Sequence, residues 1–148
     1  GVDVELRRSL WEFVRQLHRE GHTIILTTHY LEEAETLCDQ IAIMQRGKLR
    51  AVEDKSTLLM RHPYRYLTLK LLNNNINIIN NLPENILNKL VQRPEINNEN
   101  LLILDLKLHK QFDLVNDILD QIRNAGMLLH DIQTRDARLE DIFIEITN

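Results

Sequence analysis

A histidine follows directly on a short, β-branched, apolar run in this sequence: Thr23-Ile24-Ile25-Leu26-Thr27-Thr28, then His29. A run of that kind suits a strand buried on both faces of a parallel sheet. Open α/β sheets take their ligands just beyond the C-terminal ends of their strands, which is where His29 would stand. There an imidazole could donate a hydrogen bond to a phosphate oxygen or polarise a water. Position alone favours the plainer reading, a loop histidine making a backbone contact. Asp3, immediately ahead of an amphipathic stretch, suits a helix N-cap. Glu32, Glu33 and Glu35 follow His29 as an acidic patch, read as a solvated face rather than as metal ligands.

The surrounding pattern supplies the elements that must position these residues. Leu6, Leu10, Phe13, Val14 and Leu17 recur at helical spacing after Asp3, with Arg7, Arg8, Glu12, Arg15 and Arg19 on the opposite face. Gly21 stands where a helix end calls for a left-handed residue. The strand Thr23–Thr28, a short helix from Leu31 to Leu37, and a second buried strand Ile41–Met44 follow. That strand ends at the turn signal Gln45-Arg46-Gly47-Lys48. Helix and buried strand in alternation is α/β grammar, and two strands make so small a sheet that residues 1–61 read as the end of a larger one.

The character changes after His62-Pro63. Residues 73–100 contain eleven asparagines, interleaved with Ile and Leu. The pattern predicts a strand at 64–72, a helix near 83–90, and a hairpin from 91–96 and 101–108 across Asn97-Asn98-Glu99-Asn100. A helix carrying Phe112, Val115, Leu119 and Ile122 follows and stops at Gly126. A strand at 127–134 and a last helix striped by Leu139, Ile142, Phe143 and Ile146 complete it. Strand-helix-strand-strand-helix-strand is the order of a ferredoxin-like split βαβ unit, here with one extra terminal helix.

Several linked motifs in the first 60 residues resemble the ATP-binding cassette (ABC) ATPases. Thr27-Thr28-His29 is similar to that family's switch-histidine segment. Glu33-Ala34-Glu35, Cys38-Asp39-Gln40-Ile41-Ala42-Ile43 and Gly47-Lys48 follow in the family's order, and Gly1-Val2-Asp3 resembles its D-loop. Leu139-Glu140-Asp141-Ile142-Phe143 is similar to a tail motif of the single-domain ATPases of exporters. The resemblance implies an α/β C-terminal remnant of a P-loop ABC ATPase domain, residues 1–61, followed by an α+β accessory module, residues 62–148. It implies that His29 contacts the γ-phosphate of ATP and orients the attacking water. Asp3 would lie at the interface between two nucleotide-binding subunits, a role compatible with capping.

The sequence departs from the family by lacking a Gly-x-x-x-x-Gly-Lys-Ser/Thr loop, a Leu-Ser-Gly-Gly signature, and an apolar strand ending in Asp-Glu. Phosphoryl transfer needs the cradle such a loop supplies, together with Mg²⁺ and a positioned water. The implied parent therefore binds ATP and Mg²⁺, whereas this chain alone is expected to bind neither and to hydrolyse nothing. Val4, where proline is frequent, and the glycine-free stretch Leu49–Lys55 are smaller departures.

Composition bounds the remaining readings. The chain has 148 residues, 43% hydrophobic and 27% charged, with a formal net charge of -4. That charge carries no broad footprint for nucleic acid. The lone Cys38 offers neither an internal disulfide nor a metal cluster and fits a reducing compartment. No apolar run approaches the roughly 20 residues a membrane span needs. The expected partners are a membrane permease subunit and a second copy of the chain, at the cytoplasmic face of the membrane and without insertion. For the second half, an interaction module is favoured over a small-ligand sensor, because no glycine-rich loop or histidine-carboxylate cluster is present. A free-standing α/β protein with no ATPase parent stays as the alternative, decided by the reading frame upstream of Gly1.

Overall fold

The computed structural model describes residues 3–73 and 75–148. Gly1 and Val2, the first two residues of the D-loop-like motif, lie outside the described residues. The chain divides into two compact units: residues 1–61 together with Arg138–Asn148, and residues 62–137.

In the first unit, helix α1 spans Val4–Arg19. Asp3 caps it, its carboxylate accepting from the Glu5 N–H at 3.3 Å, which satisfies one of the amides a helix start leaves unpaired. At the other end the Gly21 N–H donates to the His18 carbonyl and the His22 N–H to the Leu17 carbonyl. Gly21 sits at φ +96°, the left-handed closure that glycine adopts without steric penalty. Helix α2 spans Leu31–Leu37, as the spacing predicts. Strands β1 (Gln40–Gln45) and β2 (Lys48–Asp54) form an antiparallel hairpin. Arg46 and Gly47 both have positive φ in its two-residue turn, the mirror-image turn that matches strand twist.

One expected strand is missing. Residues 23–28 form no strand and pair with nothing among the described residues, and Ile25 is 91% exposed. A strand is a property of a pair, because its N–H and C=O groups need a neighbour's. The composition of Thr23–Thr28 cannot supply that neighbour.

A short helix α3, Lys55–Met60, continues from the hairpin, and α6, Leu139–Thr147, returns from the far end of the sequence. Leu58, Leu139 and Ile142 are buried with Ile41 and Ile43, and Leu31, Ala34, Cys38, Phe143 and Ile146 pack around them. The terminal helix thus belongs to the core of the first unit, whereas the sequence pattern groups it with the second half. Its apolar stripe specifies burial but not against what. The Asp141 carboxylate accepts from the Arg138 N–H at 2.7 Å, closing the helix start in the manner of a capping box. Gln45 Nε2 donates to the Thr147 carbonyl at 2.7 Å at the other end.

The second unit is built on four strands: β3 (Tyr64–Leu71), β4 (Glu95–Ile96), β5 (Leu102–His109) and β6 (Leu129–Asp136). They lie in the order β4-β5-β3-β6 with antiparallel neighbours throughout. Helix α5, Val115–Asn124, crosses from β5 to β6, and a 3-10 turn at Ile76–Asn81 with the short helix α4, Glu84–Leu87, crosses from β3 to β4. Alternate residues Leu67, Leu69 and Leu71 of β3 and Leu102, Leu104, Leu106 and Leu108 of β5 enter one core with Ile86, Ile118 and Ile122, as the two-residue period of a strand requires.

Two details differ from expectation. The arm before Asn97 is a strand for only two residues, because Pro94 has no N–H for the ladder; ahead of it the Val91 N–H reaches the Asp105 carbonyl at 2.9 Å. Phe112 lies outside α5, 74% exposed, with its ring stacked on His109 at 4.5 Å.

Candidate functional site around His29

His29 sits in the bend between the unpaired segment 23–28 and α2, exposed. Its ring lies 4.2 Å from that of Tyr30, tilted by 34°. Among the described residues no hydrogen bond or ion pair engages the imidazole nitrogens of this exposed side chain.

The bend is held by its neighbours. Thr28 Oγ1 accepts from the Tyr30 N–H at 2.9 Å and donates to Glu33 Oε2 at 3.0 Å. The first contact closes the local turn that Ser and Thr make two residues ahead of themselves. The second ties the turn to the first helical turn of α2, where a carboxylate also meets the favourable end of the helix dipole. Backbone bonds from Glu33 and Ala34 to the Tyr30 carbonyl start the helix.

Arg7 of α1 completes the set. Its Nε stands 3.6 Å from Glu33 Oε1, and its guanidinium lies 5.3 Å from the centre of the Tyr30 ring. Glu33 is therefore only 18% exposed in its side chain, a positioning carboxylate rather than the solvated acid that its composition suggests; Glu32 is exposed as expected. Arg7 and Thr28 carry no motif of their own. The only sequence signal for them is spacing, since Arg7 lies on the polar face of α1 and Thr28 directly before His29.

Asp3 does not join this group. Its carboxylate is engaged with Glu5, and among the described residues no hydrogen bond links it to His29. A separate cleft of about 920 Å³ opens in the first unit, lined by Val14, His18, Ile24, Leu37, Cys38 and Ala42. His29 is not part of its wall. The half-buried Cys38 thiol there is pushed above its ordinary range, chiefly by burial; Lys55 opposes the shift and Asp39 adds to it.

This arrangement can present one imidazole at a fixed place. Among Arg7, Thr28, His29, Tyr30 and Glu33 there is no lysine and no turn of backbone amides of the kind that cradles a triphosphate. Among the described residues no helix is long and apolar enough to cross a membrane.

No protein-family model matches the chain. Nod factor export ATP-binding protein I of Rhizobium sp. (strain N33) is 30% identical over 151 residues, covering 99% of this chain and 44% of that protein. ABC transporter A family member 5 of Dictyostelium discoideum is 47% identical over 64 residues, 43% of this chain and 4% of that protein. Linearmycin resistance ATP-binding protein LnrL of Bacillus subtilis (strain 168) is 43% identical over 61 residues, 41% of this chain and 20% of that protein. The chain thus spans less than half the length of these relatives. With an alignment running almost end to end through the His29 bend and both units, the chain belongs to the ATP-binding proteins of ABC transporters.

Proposed function

We propose that this chain is the C-terminal part of the ATP-binding subunit of an ABC exporter, in which ATP hydrolysis drives transport across a membrane. The observation that carries this reading is the alignment over 99% of the chain to an ATP-binding protein named for export, of which the chain spans 44%. The unpaired segment 23–28, the adjoining cleft, and the exposed apolar face of α1 (Leu6, Leu10 and Phe13) support it. Each is a surface that further strands of a larger sheet would cover.

In that setting His29 contacts the γ-phosphate and helps orient the attacking water, with Tyr30, Thr28, Glu33 and Arg7 fixing the bend that carries it. Asp3 lies at the contact between two nucleotide-binding subunits. Residues outside this chain hold ATP and Mg²⁺, and the chain by itself does not hydrolyse ATP. Residues 62–137 form a ferredoxin-like accessory module, a reading supported by the sheet order β4-β5-β3-β6. The partners are a membrane permease subunit and a second copy of the same protein, at the cytoplasmic face.

ATP hydrolysis by the full-length protein, beside this chain alone, tests the reading. Replacing His29 by Ala in the full-length protein is expected to lower kcat by roughly a hundredfold or more, the scale of a lost proton-handling or water-orienting group, while ATP still binds. Hydrolysis by the chain alone, or an unchanged kcat in the His29→Ala protein, would overturn it.

A further inference from the structure

Strand β6 is the outermost strand of its sheet. It pairs only with β3 among the described residues, and its other edge is unpaired over eight residues. All of its residues except Arg135 are exposed, so among the described residues of its own unit nothing covers that edge. An uncovered edge of this length is a template for a further strand.

The hydrogen-bonding direction of the edge can be read from one contact. The Ile132 N–H donates to the Asp131 carboxylate at 2.8 Å, so it is not spent on β3 and points outward. Alternation then turns Thr134 outward as well, and turns Asp131, Gln133 and Arg135 toward β3. In an antiparallel ladder the hydrogen-bonded pairs join outward-facing residues of both strands. Three registers centred on the strand meet this condition when β6 faces itself. Setting Ile132 opposite itself places Asp131 against Gln133. Setting Thr134 opposite itself places Gln133 against Arg135. Setting Ile132 opposite Thr134 places Asp131 against Arg135 twice, with Gln133 facing its own copy on the two-fold axis. Only the last brings opposite charges together, and opposite charges directly across a ladder stabilise it where like charges do not.

We propose that β6 pairs antiparallel with β6 of a second copy of this chain, in the register that sets Asp131 opposite Arg135 and Gln133 opposite itself. This deepens the self-association proposed above by naming the strand and its register. On pairing, the Ile132 N–H exchanges the Asp131 carboxylate for a Thr134 carbonyl, which releases that carboxylate for Arg135 of the other copy. Two joined sheets of four strands become one of eight. A contact of one strand pair is small, so the dimer is of the weak, concentration-dependent class.

The test uses the full chain with Cys38→Ser as background and one new cysteine at a time. Gln133→Cys faces its own copy at a non-hydrogen-bonded position, where the Cα atoms lie about 4.5 Å apart, inside the range that a disulfide spans. It is expected to cross-link under mild oxidation roughly tenfold faster than Thr134→Cys, which faces Ile132. Adding Asp131→Arg to Gln133→Cys sets like charges opposite and is expected to slow cross-linking by roughly tenfold; adding Arg135→Asp as well restores it. Ile132→Pro removes the outward N–H without touching the β3 ladder and is expected to abolish the cross-link, with circular dichroism confirming that the sheet is intact. Equal cross-linking from both cysteines, failure of the charge swap to rescue a folded variant, or persistence in Ile132→Pro would overturn the proposal. A dimer in sedimentation that gives no Gln133→Cys cross-link would overturn this strand while leaving self-association standing, and a strict monomer would overturn both.

Discussion

Thr28 Oγ1 donates to Glu33 Oε2 at 3.0 Å while accepting from the Tyr30 N–H at 2.9 Å, so one hydroxyl holds both sides of the bend that carries His29. A hydrogen bond to a charged acceptor contributes roughly 1.5–3 kcal/mol, more than the Arg7–Glu33 ion pair, whose 3.6 Å separation and one-third-exposed arginine put it near the range of roughly 0–1 kcal/mol. Denaturant titration of a double-mutant cycle is expected to give a larger coupling for Thr28 with Glu33 than for Arg7 with Glu33. The reverse order would mean that Arg7, and not the hydroxyl, positions the carboxylate.

The return of α6 to the first unit makes a second expectation. Ile142 is 4% exposed among Ile41, Ile43, Leu58 and Leu139, so Ile142→Ala is expected to cost about 2–5 kcal/mol by lost burial and the cavity left behind. The loss falls on the first unit, whose core α6 joins from the far end of the sequence. Trp11, the single tryptophan, lies on α1, and its fluorescence reports that unit. A chain ending before Leu139 is expected to lose the cooperative Trp11 transition while the sheet of residues 62–137 keeps its circular dichroism signal; an unchanged Trp11 transition would place α6 outside that core.

How far these relationships could be read in advance depended on whether they were local. Helix α2, the Arg46-Gly47 turn and the strand alternation of Leu67, Leu69 and Leu71 follow from neighbours within a few residues, and the pattern carries them. Segment 23–28 forms no strand here because β-branched residues specify a preference while the ladder needs another strand. The same limit hid the site's supports. Glu33 is one of three clustered acids, and only the approach of Arg7 from α1 and of Thr28 across the bend separates it from Glu32. His29 stood out because a recognisable run of residues surrounds it, and Asp3 because its capping bond is two residues away.

Gly126 allows a test of backbone conformation without packing. It ends α5 at φ +83°, and a Cβ built there meets nothing within 4 Å. Gly126→Ala is expected to cost about 1 kcal/mol, from the left-handed conformation alone, with no change in the core around Ile118 and Ile122. A loss several times larger in equilibrium unfolding would mean that the connection into β6 is strained by more than this one residue.

The Cys38 thiol gives a pH dependence whose sign follows from its surroundings. Burial is the largest influence on it and raises its pKa; Lys55, whose Nζ is held by the Glu35 carbonyl at 2.7 Å, lowers it, and Asp39 raises it. Because the folded value lies above the unfolded one, the contribution to stability is fully present below the ordinary thiol pKa of roughly 8.5. It is lost as pH rises through the folded value, since the unfolded chain gives up its proton first. Stability set by this group is therefore flat at neutral pH and declines on the alkaline side. Iodoacetamide, which attacks the thiolate, is expected to modify folded Cys38 more slowly at pH 8 than it modifies the unfolded chain. Lys55→Ala removes the one influence that favours the thiolate and moves the rate profile further to alkaline pH; Asp39→Asn moves it back toward neutral. A profile that shifts the other way in Lys55→Ala would show that the ammonium acts on Cys38 through the Glu35 carbonyl contact and the packing of α2, and not through its charge.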